Sequence, residues 1–308
     1  MDRKIYAVCG PTAVGKTKFA IEIARFLGGE IVSCDSMQLY KYMDIGSAKP
    51  TADERAMVRH YLVDEIDPRE PFSAAKYQKL ARAAIDEIFN KEKVPVITGG
   101  TGLYLNAILY DMDFSAPPKN PDYRSRLYDE AEKQGPQAVY ERLQKADPQA
   151  AERIHPNNVK KVVRALEAAE SGTKVGDFSH DLKPVKDYEA VLIGLTRERS
   201  LLYQRINERV DQLIEAGLLS EVKHLLEMGL TESDISMKGI GYKEIIGYYH
   251  GEYSLDEAVR LVKKNTRRYA KRQLTWFRRY ETMKWFCISD YDSDEQCLED
   301  IFLWLKKR

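Results

Sequence analysis

Lys4-Ile5-Tyr6-Ala7-Val8-Cys9-Gly10-Pro11-Thr12-Ala13-Val14-Gly15-Lys16-Thr17 is the stretch on which the reading of this chain turns. A short apolar run, Ile5 to Cys9, is bounded by charge and predicts a buried strand. Gly10 to Thr17 then fits Gly-x4-Gly-Lys-Thr, and Phe19, Ile23 and Phe26 continue at helical spacing. Strand, glycine-rich loop and helix in that order are the context in which this pattern binds phosphate. Gly10 and Gly15 let the backbone of Pro11, Thr12, Ala13 and Val14 curl, so that its N–H groups converge on an anion beside a helix N-terminus. Lys16 is placed to reach the terminal phosphates, and the Thr17 hydroxyl to enter a Mg2+ shell. The alternative is a glycine turn that only joins a strand to a helix.

The loop does not say whether phosphate is transferred. Many nucleotide hydrolases carry a second apolar strand ending in a carboxylate that assists the metal. The best later strand, Val94-Pro95-Val96-Ile97, runs instead into Thr98-Gly99-Gly100-Thr101-Gly102. That points away from a hydrolysis motor and toward a transferase that uses the cradle for binding.

Outward from these strands, the chain alternates strand and helix through its first third. Glu30 to Cys34 is a second strand ending at Asp35-Ser36, and Tyr61 to Ile66 is a candidate third. Ligands of open parallel sheets bind at the carboxyl ends of the strands, so Asp35 is expected on the rim that carries the phosphate loop. Asp35 is either a turn former and helix cap or a general base or metal-shell ligand facing the phosphate. The segment from Met37 to Pro50 reads as a long ordered loop beside it.

Pro117-Pro118 and Pro121 mark a boundary, after which Asp122 to Ala169 carries only helical patterns. Tyr188 to Leu195 restores a buried strand. The expectation is an α/β fold, a P-loop NTPase-like parallel sheet flanked by helices, with an inserted all-helical domain. Residues 1–117 and 187–308 form the core and 118–186 the insertion.

Lys and Arg number 48 and Asp and Glu 48, so no global field draws in a polyanion. One helix from Ser254 to about Tyr280 concentrates Lys263, Lys264, Arg267, Arg268, Lys271, Arg272, Arg278 and Arg279 around Tyr269, Trp276 and Phe277. Lys160, Lys161 and Arg164 form a smaller cluster in the insertion. These are solvated helix faces or phosphate-contacting surfaces for nucleic acid. Cys9, Cys34, Cys287 and Cys297 have no metal or redox spacing and are expected to be reduced. With no signal-peptide layout and no apolar run of membrane length, a cytoplasmic location is expected.

Asp35-Ser36-Met37-Gln38-Leu39-Tyr40 and Met43 to Pro50, following the phosphate loop, closely resemble the tRNA dimethylallyltransferases of bacterial type. Further matches are Gly99 to Tyr104, Ile154 to Asn158 with Val163 to Glu167, Gly239 to Glu244, and Arg272 to Arg278. Lys41-Tyr42 stands where the family usually has Arg-Gly, Ser47 replaces a usual Thr, and the zinc-finger tail of eukaryotic relatives is absent. The resemblance implies transfer of a dimethylallyl group from dimethylallyl diphosphate to the exocyclic amine of an adenosine next to the anticodon. It makes Asp35 the general base and has Ser36, Met37 and Gln38 line the base pocket. Thr101 and Arg124 would contact the tRNA. Lys160, Lys161, Arg164 and the long helix with Arg272 and Arg278 would grip the anticodon stem-loop. A monomer is expected, with Mg2+ at Thr17 and no membrane or obligate protein partner. The competing readings are an isopentenyltransferase of free adenine nucleotides, a small-molecule kinase and a non-catalytic, nucleotide-gated RNA-binding module that binds ATP.

Overall fold

The structure, a computed structural model, describes residues 3–112, 114, 120–172 and 182–308. It divides into two compact units, Met1–Tyr110 with Pro184–Arg308, and Asp111–Lys183. The sequence reading had set the helical insertion at 118–186. Its Pro117-Pro118 boundary, and residues 173–181 of the polar stretch before the returning strand, lie outside the described residues.

In the first unit the chain runs β1 (Lys4–Cys9), α1 (Lys16–Leu27), β2 (Gly29–Ser33), α2 (Ala52–Met57), β3 (His60–Tyr61), α3 (Ala74–Asn90), β4 (Val94–Gly99) and α4 (Gly102–Leu109). The second unit holds α5 (Pro121–Gln134), α6 (Pro136–Ala146), α7 (Pro148–Arg153) and α8 (Val159–Glu170). The first unit then resumes with β5 (Glu189–Thr196), α9 (Arg199–Glu215), α10 (Leu218–Glu227), α11 (Tyr242–Tyr249), α12 (Leu255–Phe277), β6 (Lys284–Cys287) and α13 (Asp294–Leu305).

All strand pairings are parallel, in the order β3-β2-β4-β1-β5-β6. β1 is central, with Tyr6 opposite Val96 and Val191, and Cys9 opposite Gly99 and Gly194. A parallel strand covered on both faces needs an unbroken apolar run, and Ile5 to Cys9 is one. Phe19, Ala20, Ile23 and Ala24 turn the apolar face of α1 into a core shared with Val8, Val96, Ile193, Leu195, Ile206, Phe286 and Ile301. This is the α/β arrangement expected from the alternation of strand and helix.

The third strand is shorter than the apolar Tyr61 to Ile66 run suggests. Leu62 and Asp64 take positive φ of 61° and 64°, which breaks the extended chain. Only an isolated parallel bridge, Tyr40 to Ile66, carries the pairing on. Tyr40, Leu39 and Met43 are buried, so the loop after β2 is packed rather than loose.

The helical unit is organised by its helix starts. Pro121, Pro136 and Pro148 each open a helix, where a missing N–H costs nothing. Asn120, Asp147 and Asn158 cap the following backbone amides. Tyr123, Leu127, Val139, Leu143, Ala150, Val162, Val163 and Leu166 form its separate core.

Gly99 marks the tightest strand approach: a Cβ there would lie 2.1 Å from the Cys34 carbonyl oxygen. Gly99→Ala is therefore expected to lower unfolding free energy by about 3 kcal/mol, as overpacking against rigid backbone does. A denaturant melt with an unchanged midpoint would contradict that approach.

Candidate active site

The phosphate loop connects β1 to α1 by a route that two glycines make possible. A Cβ on Gly10 would lie 2.5 Å from the Leu195 carbonyl oxygen, and Gly15 sits at φ 111°. The loop is held from outside by three side chains of the C-terminal third. Arg205 Nε donates to the Ala13 carbonyl at 3.1 Å, Arg197 Nε to the Val14 carbonyl at 3.0 Å, and Gln273 Oε1 accepts from the Thr12 N–H at 2.9 Å. In a trans peptide the carbonyl and the next N–H point opposite ways, so anchoring the Val14 carbonyl fixes the direction of the Gly15 N–H.

Lys16 and Thr17 occupy the first turn of α1. Lys16 Nζ donates to the Pro11 carbonyl at 2.8 Å. Burial pushes its ammonium down to about 8, against the opposing pull of the Asp35 carboxylate. Arg209, on the same face of α9 as Arg205, is also lowered by burial and steadied by Asp35. A carboxylate, a lysine and an arginine thus share one electrostatic neighbourhood.

Asp35 lies just past β2. Its Oδ1 accepts from the N–H groups of Met37 at 2.9 Å and Gln38 at 3.4 Å, a turn that fixes its orientation. Among the described residues its Oδ2 accepts no hydrogen bond, so turn former and candidate base are roles of two different oxygens. The adjoining turn after β4 is pinned to it: the Thr101 N–H donates to the Cys34 carbonyl at 3.1 Å, and Thr101 Oγ1 accepts from the Ser36 N–H at 3.1 Å. Gln38 is committed on both ends of its amide, accepting from Ser33 Oγ and donating to the Ala48 carbonyl at 3.1 Å.

α12 braces this rim. Gln273 Nε2 donates to the Gly100 carbonyl at 2.9 Å, the partly buried Tyr269 hydroxyl to the same oxygen at 3.5 Å, and Trp276 fills the space a Gly102 side chain would need. The loop from Asp44 to Gly46 has its own clamp: the Glu221 carboxylate accepts three successive N–H groups at 2.7, 2.7 and 2.9 Å and the Tyr242 hydroxyl at 2.8 Å. Gly239 to Glu244 supports the clamp, with Gly239 against Met37 and Glu244 accepting from the Gly241 N–H.

The structure therefore gathers Gly10 to Thr17, Asp35 to Gln38 and Thr101 on one rim of the first unit. Arg272 and Arg278 are exposed on and just beyond α12, Arg272 lying over the Tyr269 ring at 5.7 Å. Not all of the basic helix faces outward: Lys263 pairs with Asp211 and Arg267 donates to Asn207. Lys160, Lys161 and Arg164 are exposed on α8 within the helical unit. In that unit Arg124 makes a two-pronged pair with the buried Glu167, tying α5 to α8. Arg197, Arg205, Arg209, Glu221 and Gln273 were not singled out from sequence. Arg205 and Arg209 lie one turn apart on an ordinary charged helix, and only tertiary structure reveals what they face.

A model of the IPP transferase family, described as IPP transferase, matches residues 38–280. The chain belongs to that family. It is 52% identical over 302 residues to the tRNA dimethylallyltransferase of Alkaliphilus oremlandii, covering 98% of this chain and 96% of that one. The full-length tRNA isopentenylpyrophosphate transferase of Bacillus halodurans superposes with a TM-score of 0.75 at 43% identity, over 100% of this chain and 96% of that one. A eukaryotic dimethylallyltransferase acting on tRNA gives 0.81 at 26% identity, over 99% of this chain and 80% of that one. The P-loop NTPase-like core is thus the fold of this family.

Lys16 supplies a pH test. Its charged form predominates below about 8 and is lost as pH rises, and an anion in the loop favours that charge. Affinity for dimethylallyl diphosphate is expected to fall by up to ~10-fold per pH unit above that point. Lys16→Met should bind weakly with no such break. Calorimetric titration between pH 6.5 and 9.5 measures both.

Proposed function

We infer that the chain transfers the dimethylallyl group of dimethylallyl diphosphate to the exocyclic N6 amine of the adenosine 3′ to the anticodon in tRNA. The observation that carries the mechanism is the shared rim: a phosphate loop and an Asp35 carboxylate with an uncommitted oxygen, beside a β4 that ends in Thr98-Gly99 without an acid.

The loop amides other than the Thr12 N–H, which Gln273 takes, hold the diphosphate together with Lys16. As the adenosine nitrogen forms its bond to the allylic carbon, the carbon–oxygen bond breaks and the electron pair leaves with diphosphate. Lys16, with Arg209 behind it, offsets the charge that grows on the departing oxygen. Asp35 Oδ2 takes the proton released from the amine. Mg2+, when bound, adds Lewis-acid stabilisation of the diphosphate. Thr17, in the first turn of α1, would hold it through its hydroxyl. Among the described residues no cluster of three His, Cys, Asp or Glu could hold a metal.

A stacked adenosine cannot reach such a rim, so the base is flipped out of the anticodon loop. Ser36, Met37, Gln38 and Thr101 shape its pocket, with Gln38 acting through the fixed wall it forms with Ala48. Lys160, Lys161 and Arg164, and separately Arg272 and Arg278, contact phosphates of the stem-loop. Arg124 contributes by holding α8, the helix that presents the first of these clusters, and remains the candidate tRNA contact of its own helix. We place the enzyme in the cytoplasm as a monomer. No helix among the described residues is long and apolar enough to cross a membrane.

Labelled dimethylallyl diphosphate mixed with an anticodon stem-loop tests the reading directly. Label should enter RNA only when the adenosine is present, and Asp35→Ala should reduce the rate at least ~100-fold. Labelling of free AMP in preference to RNA would instead support the nucleotide-modifying alternative. Replacing Lys160, Lys161 and Arg164 together by Ala should weaken stem-loop binding and reduce the salt slope by about 2–3. A filter-binding salt titration reads both.

A further inference from the structure

Gln273 is a buried amide that neither the phosphate chemistry nor the RNA contacts account for. It is 5% exposed, one turn before the end of α12. Its Oε1 accepts from the Thr12 N–H in the phosphate loop and its Nε2 donates to the Gly100 carbonyl in the turn after β4, each at 2.9 Å. Those two segments carry the two halves of the reaction. Thr12 belongs to the loop that holds the leaving group. Gly100 precedes Thr101, whose hydroxyl accepts from the Ser36 N–H beside Asp35. Space is built for the bridge, since a Gly100 Cβ would lie 2.1 Å from Gln273 Nε2.

We propose that Gln273 is a positioning residue for prenyl transfer, a fixed-length spacer that sets the separation between the diphosphate loop and the base-bearing turn. The proposal rests on the transferase reading above. Gln273 touches neither substrate. It acts on the alignment of amine, allylic carbon and leaving oxygen, and a misplacement of about 1 Å can cost 10²-fold in rate. The loss therefore falls on kcat, while each substrate keeps its own half-site and its affinity.

The test is turnover at saturating stem-loop and dimethylallyl diphosphate, with KM for each and the melting temperature measured alongside. Gln273→Met keeps the length and removes both hydrogen bonds. Its kcat should fall about 100-fold with both KM values within about threefold of wild type. Gln273→Glu provides the second arm. When protonated, its carboxylic acid accepts from Thr12 and donates to Gly100 as the amide does; when ionised it repels the Gly100 oxygen. Its rate relative to wild type should climb at least ~10-fold from pH 8.5 to pH 6, because burial raises a carboxyl's pKa. If Gln273→Met does not fold, that ratio decides alone: a rising ratio supports the spacer and a flat one overturns it. A Gln273→Met kcat within threefold of wild type, or a loss confined to KM, also overturns it. A wild type that labels no RNA would overturn the transferase reading itself, an outcome distinct from a working wild type with an unimpaired variant.

Discussion

The site depends on how closely the carboxyl ends of the parallel strands approach one another. Gly10 lies on the Leu195 carbonyl and Gly99 on the Cys34 backbone, at distances no side chain would permit. These contacts converge the β1, β2, β4 and β5 ends, so that the phosphate loop and the Asp35 turn occupy one rim. Sheet twist alone would splay the loops that follow. The glycines matter less for unusual dihedral angles than for the space they leave.

Around that rim the chain uses a division of labour. The N-terminal strands supply the short loops of the rim, and the Asp35 turn and the turn after β4 are bonded to each other. Further bracing comes from later in the chain: Arg197 just ahead of α9, Arg205 and Gln273 on the phosphate loop, Glu221 on Asp44 to Gly46, Trp276 on Gly102. The hydrogen bonds among these contacts satisfy backbone groups that would otherwise be stranded at a partly buried surface, where an unmet hydrogen bond costs roughly 1–3 kcal/mol. Preorganisation of the loops is therefore a property of residues remote in sequence from those that react.

This explains what the sequence could and could not disclose. Apolar runs and helical spacing locate the inner strands and most helices because those elements bury their apolar residues, and the proline and Asx starts of α5 to α8 are readable for the same local reason. β3 is cut short because Leu62 and Asp64 adopt left-handed backbone, which an apolar run does not reveal. The phosphate loop is legible since its chemistry is contiguous: strand, glycines, lysine, threonine. Asp35 was open to two readings because its two oxygens differ: Oδ1 closes the turn, while Oδ2 accepts no hydrogen bond among the described residues. The bracing residues were illegible. An arginine facing a loop carbonyl and an exposed arginine both sit on charged helices, as Arg205 and Arg268 illustrate. Similarly, the basic run on α12 contained Lys263 and Arg267, which the fold keeps for its own ion pair and hydrogen bond.

The insertion of the helical unit ahead of β5 has a consequence for synthesis. β5 is a direct neighbour of β1, yet it leaves the ribosome only after some 180 residues have preceded it, and the arginines of α9 and the glutamine of α12 come later still. A nascent chain carries the complete phosphate-loop motif long before it carries anything to hold that loop in shape. Such long-range closure slows folding. A chain truncated after the helical unit would keep the whole contiguous loop motif and lack Arg197, Arg205 and Gln273, the side chains that hydrogen-bond to its backbone.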